Sequence, residues 1–170
     1  MHDDVLLADS ARWWLVAHAI VGGALVGAAT HMAVWTRSYW RRDTARHRGV
    51  RRFAVLTAAL FALNFAIGLA IYPVYKVRVR VAYLDDPGAA LPLYETTSRV
   101  ARWFDVKEHA IAIGFAVAVA LAAIVLAWRP SRDGRDIAPA VAGLAWLVCA
   151  ATWFAAIVGL VTTSYRAIGS

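Results

Sequence analysis

Four stretches of the chain contain no Asp, Glu, Lys or Arg: Trp13–Trp35, Phe53–Tyr75, Ala110–Trp128 and Ile137–Tyr165, of 23, 23, 19 and 29 residues. A helix rises about 1.5 Å per residue, so about 20 apolar residues cross the hydrocarbon layer of a bilayer. Each stretch is about that long or longer, and together they take up 94 of the 170 residues. Hydrophobic residues make up 61% of the chain and charged ones 17%, a balance that so short a chain cannot hide from water. The expected fold is all-α, an integral membrane up-down-up-down four-helix bundle. It forms one membrane domain, residues 1–170, with spans at about 13–35, 53–75, 104–128 and 137–163.

The net charge is +7, but the basic residues lie in the connectors between spans, where they set topology and do not point to a nucleic-acid partner. The segments Thr36–Arg52 and Arg129–Asp136 hold ten arginines against three aspartates. Elsewhere, eight basic residues balance eight acidic ones, Asp3, Asp4 and Arg166 among them. The positive-inside rule then places both arginine-rich connectors in the cytoplasm and both termini outside. The expected location is an inner (plasma) membrane of bacterial type. Met1-His-Asp-Asp4 lacks the basic start of a secretory signal and the run behind it is too long for one, so the first span is expected to be retained. Trp and Tyr residues gather at the span ends, as interfacial aromatics do.

The outer connector, residues 76–102, is the largest element outside the spans. Val74–Tyr83 alternates apolar and basic residues, which fits an extended segment or, equally, an ordinary solvated loop, and Asp85-Asp-Pro-Gly88 predicts a turn. Thr96, Thr97 and Ser98 are candidate caps for a helix leading into the third span. Pro73 is expected to fray the end of the second span, and Pro139 to sit in the first turn of the fourth. Gly23-Ala-Leu-Val-Gly27 has the spacing of a close helix contact. Asn64 is expected to bridge helices, and the single cysteine, Cys149, to act as a small apolar residue.

Ionisable groups inside a span are costly and mark function by default. Those present are His18 and His31 in the first span and His109 at the start of the third. His18 and His109 lie at matching depth below Trp13 and Trp103. Two imidazoles facing each other across a bundle suit the axial positions of one haem b. Gly22, with Ala112, Ala116 and Ala120, would leave room for the macrocycle, while Arg12, Arg99, Arg102 and Lys107 would meet its propionates. His31 is a poorer candidate for a second iron: it points away from His18, and His47 is its sole histidine partner at that depth. Asp105 and Glu108 read as interfacial charges or as groups that orient a ring or relay a proton near a quinone.

The histidine in the first span, the arginine-rich connector running into Arg51-Arg-Phe53, Gly68 in the second span and Lys107-x-His109 opening the third resemble four-helix b-type cytochrome membrane proteins. These include quinone-linked cytochrome b subunits and the copper-resistance-D-like family. The resemblance implies a haem b on His18 and His109, and this chain has no further histidine pair for a second haem. The expected function is a haem b electron-transfer or anchor subunit linking a quinone pool to an extracytoplasmic redox partner, at most one subunit of an oxidoreductase. The alternatives are a non-catalytic accessory subunit of a larger membrane complex and a transporter of a metal or small solute.

Overall fold

Six helices account for nearly all of the computed structural model, which describes residues 9–91 and 93–165. They are α1 (Ala11–Trp35), α2 (His47–Tyr75), α3 (Pro87–Ala90), α4 (Tyr94–Ala127), α5 (Pro130–Asp133) and α6 (Ala138–Tyr165). Four of these belong to segments long and apolar enough to cross a membrane. Asp3, Asp4 and Arg166, which entered the charge balance, lie outside the described residues.

The apolar surface of the spans faces outward. Ile20 is 69% exposed and Leu160 is 73% exposed, an arrangement that water would penalise and lipid accepts. Around the bundle, α1 packs on α2 and α6, and α4 packs on the same two helices, which leaves α1 and α4 on the diagonal. The interior is built from small residues. Ala118 and Ala122 of α4 and Ala138, Ala142 and Ala145 of α6 are buried, and a Cβ placed on Gly114 would lie 2.9 Å from that of Ala151.

The arginine-rich end is closed by hydrogen bonds. A 3-10 turn, Thr36–Arg41, leads away from α1, and fully buried Tyr39 meets His47 Nδ1 through its hydroxyl at 3.0 Å. The other ring nitrogen of His47 lies 3.0 Å from the Trp128 carbonyl oxygen, and the Trp128 indole donates to the Gly134 carbonyl. The two arginine-rich connectors are thereby tied together. The Arg132 guanidinium, 2.8 Å from Asp133, holds that carboxyl below the usual carboxylate range.

Three local expectations are corrected. The alternating segment after α2 is not extended: the chain passes Pro73 without a break and runs on as a π-helix, Lys76–Leu84. Pro73 withdraws one N–H from the ladder, and i→i+5 bonding begins three residues later. Residues five apart then stand over one another, and Val74, Val79 and Leu84 are each at most 1% exposed. Thr96, Thr97 and Ser98 do not cap a short helix. They lie in the first turns of α4, a single helix whose N-cap is Leu93. Finally, Gly23 and Gly27 pack against nothing among the described residues, since a Cβ at either would meet no atom of them within 4 Å. Pro139 falls in the first turn of α6, as expected.

A glycine that does require its missing side chain is Gly49, whose α-carbon lies directly beneath the Trp35 ring. Trp35 in turn packs on His31 and Phe53. Gly49→Ala is expected to cost about 1–3 kcal/mol through overpacking. Gly23→Ala and Gly27→Ala should be neutral or gain up to about 1 kcal/mol in helix propensity. Thermal unfolding of the detergent-solubilised protein followed by circular dichroism checks the ordering, and equal effects at all three positions would contradict it.

Candidate functional site

Buried apolar residues form two clusters, and the break between them locates the site. One cluster, around Leu25, Phe61, Ala118 and Val148, fills the half of the bundle toward the arginine-rich end. The other, around Ala11, Ile71, Val74, Tyr75 and Ala101, fills the far end. Residues 18–22 of α1, 64–68 of α2 and 107–108 of α4 lie between them along the chain, and this layer carries His18, Asn64, Lys107 and Glu108.

His18 and Asn64 are seated reciprocally. A Cβ on Gly68 of α2 would stand 3.3 Å from His18 Cε1, and a Cβ on Gly22 of α1 would stand 3.6 Å from Asn64 Nδ2. Each span thus presents a polar residue and, one turn later, a glycine. In an antiparallel pair this spacing sets each polar side chain over the other helix's glycine. The cavity that glycine opens is therefore filled on both sides.

The polar atoms held there are not satisfied. His18 Nδ1 and Asn64 Oδ1 are buried and have no hydrogen-bond partner among the described residues, and the same is true of the Tyr75 hydroxyl one layer further out and of the Thr57 hydroxyl in the arginine-rich half, the pair at His18 and Asn64 being the two that lie together. An unpaired buried polar group costs about 1–3 kcal/mol, more where no water reaches it. Lys107 of α4 lies in the same layer, between the two apolar clusters along the chain. Its ammonium lies over the Phe104 ring, 3.9 Å from the centroid, and Phe104 stacks on Tyr75 at 4.1 Å.

Toward the far end this layer meets an ion-pair network. The Arg80 guanidinium, on the π-helix, holds Asp105 of α4 through two nitrogens and reaches Asp85 at 3.2 Å. The π-turn is what aims Arg80 at α4. Asp105, Lys107 and Glu108 follow one another along α4 from this network to the layer that carries His18.

The other expected site residues lie elsewhere. His109 is exposed on α4, and its Nδ1 lies 2.9 Å from the Asp105 carbonyl oxygen. Ala112, Ala116 and Ala120 are exposed with it, and so are Arg12 and Arg102. Asn64 fills the notch at Gly22 that a macrocycle would need, and Lys107 is turned into the bundle, away from any surface propionate. With His18 turned to α2 and His109 on the outer surface of the diagonal helix, the residues do not fit a haem shared by the two. His31 is exposed and lies in tilted ring contact with Phe53 and Trp35, whereas Met32 beside it is wholly buried. His47, with both ring nitrogens engaged, does not meet His31. Among the described residues no group of three or more His, Cys, Asp or Glu is placed to hold a metal ion.

Asn64 and Lys107 are the residues whose importance the sequence understated. The signal was present in the matching spacings His18-x3-Gly22 and Asn64-x3-Gly68. Cys149 is not merely apolar filler: its sulfur lies 3.8 Å from Thr30 Oγ1, which also accepts from the Trp153 indole at 3.0 Å. Compared with known protein families, curated proteins and solved structures, the chain matches none.

Gly68→Ala is expected to displace the His18 imidazole and shift its side-chain resonances in isotope-labelled protein. Gly159→Ala, at a position with open space around it, should leave them in place. Asp105→Asn should loosen the tie of Arg80 to α4, leaving its pair with Asp85, and raise amide exchange across residues 76–84, at a cost of about 1 kcal/mol or less because the pair is partly solvated. Unchanged exchange in that segment would show that the ion pair does not hold the π-helix.

Proposed function

We propose that the chain is the membrane anchor subunit of a redox assembly, and that the layer formed by His18, Asn64 and Lys107 binds the head of a quinone. The observation that carries this reading is the pair of buried, unpartnered polar atoms, His18 Nδ1 and Asn64 Oδ1, between two apolar clusters. A quinone head is an apolar ring with two carbonyl oxygens, and it arrives through lipid. An imidazole N–H donates to a quinone carbonyl, and an amide oxygen accepts from a quinol hydroxyl. Lys107, Glu108 and Asp105 form the route by which a proton released at the ring would reach the far face. With the arginine-rich face cytoplasmic, that far face is the outer one, both termini are extracytoplasmic, and a redox partner would dock on the segment from Lys76 to Arg102.

Haem b is not part of this reading, because the geometry separates the two imidazoles that would share it. The accessory-subunit reading has one observation of its own: Gly23 and Gly27 turn a flat strip of α1 outward, where a helix of another subunit fits.

The test uses the full chain in nanodiscs, titrated with a short-chain benzoquinone or naphthoquinone and followed by tryptophan fluorescence. Saturable quenching is expected, with affinity reduced about tenfold in His18→Leu and in Asn64→Leu, the scale of one lost hydrogen bond. Non-saturable quenching identical in all three proteins would overturn the reading. A reduced-minus-oxidised visible spectrum of the same material, with a pyridine haemochrome assay for haem content, separates the cytochrome alternative: a low-spin b-type spectrum lost in both His18→Ala and His109→Ala would restore it.

A further inference from the structure

At the opposite end of the molecule, an open groove of about 700 Å³ runs along α2 against the end of α4. Arg48, Arg51 and Arg52 line one end, and Val55, Leu56 and Leu126 line its walls. On α2 the sequence Arg48, Arg52, Val55, Ala59 follows the i, i+4, i+7, i+11 stripe of one helix face. That stripe extends about 16 Å along the axis, from the headgroup level into the hydrocarbon. It is charged at one end and apolar at the other.

The three guanidiniums have no carboxylate partner among the described residues, and the acids at this end are all engaged. Asp136 pairs with Arg42 at 3.0 Å, Asp133 with Arg132 at 2.8 Å, and Asp43 Oδ1 accepts from the Ala45 N–H at 3.0 Å. Three adjacent cations facing one groove repel each other unless an anion joins them. The apolar walls below them rule out a purely aqueous occupant as the best match.

We infer that this groove is a binding site for an anionic phospholipid, its phosphate held by Arg48, Arg51 and Arg52 and an acyl chain lying along Val55, Leu56 and Leu126. Guanidinium pairs the phosphate oxygens in a planar, two-pronged geometry, and basic grooves between spans on an arginine-rich face suit such headgroups. The inference is independent of the quinone reading, since the two sites share no residue.

Native mass spectrometry of the delipidated full chain in detergent tests it, with dioleoylphosphatidylglycerol and dioleoylphosphatidylcholine offered in equal amounts. Selective retention of the glycerol lipid is expected. The combined change Arg48→Gln, Arg51→Gln, Arg52→Gln should weaken that retention about 100-fold, each basic residue near an anionic surface supplying a several-fold factor. Ala59→Trp, at an exposed position in the groove, should weaken it with all three arginines in place. Arg37→Gln with Arg41→Gln, outside the groove, should not. Equal retention of the two lipids, or equal losses in the groove and control variants, would overturn the proposal. Displacement of the lipid by inorganic phosphate alone would also overturn it, showing a site for a soluble anion.

Discussion

Helices in a bilayer gain nothing by hiding apolar side chains from one another, because lipid is as apolar as leucine. Close backbone approach therefore decides which faces meet. The alanine faces of α4 and α6, the contact of Gly114 with Ala151, and the two glycines under His18 and Asn64 all express this requirement. The same requirement explains why two polar side chains are tolerated between apolar layers. A glycine opposite each gives it room, and the antiparallel register places the pair at one depth.

Much of the architecture was legible in the sequence, because charge-free length and interfacial aromatics mark a span whichever way the helix is rotated. Rotation itself was not legible. In a soluble helix, polar residues reveal the outer face. Here both faces are apolar, so nothing in Ala112, Ala116 and Ala120 says that the stripe is turned to lipid. His18 and His109 share a depth, and depth was the only coordinate the sequence supplied. Matching in depth without matching in azimuth separates them across the bundle.

The segment after Tyr75 failed for a different reason. Alternation of valine and arginine satisfies a period of two, but Val74, Val79 and Leu84 also satisfy a period of five. Single-chain patterning favours the commoner period, and π-helices of this length are rare. Tertiary contact decides between them: the wider turn buries the three residues against α2 and α4 while carrying Arg80 to Asp105. An extended strand at this place would leave its ladder groups unpaired beside the membrane.

The two ends of the bundle contrast in how they treat polar atoms. At the arginine-rich end, Tyr39, His47 and Trp128 use their hydrogen-bonding groups on one another and on the backbone, so the histidine there serves structure, while the Thr57 hydroxyl deeper in that half is left without a partner among the described residues. Toward the far end, His18, Asn64 and Tyr75 keep buried atoms without partners. A chain able to satisfy a buried histidine in one place gains no stability by leaving another unsatisfied. The cost at His18 and Asn64 is one that a ligand in that layer would remove, a contrast with His47 that the presence of histidines as such does not convey.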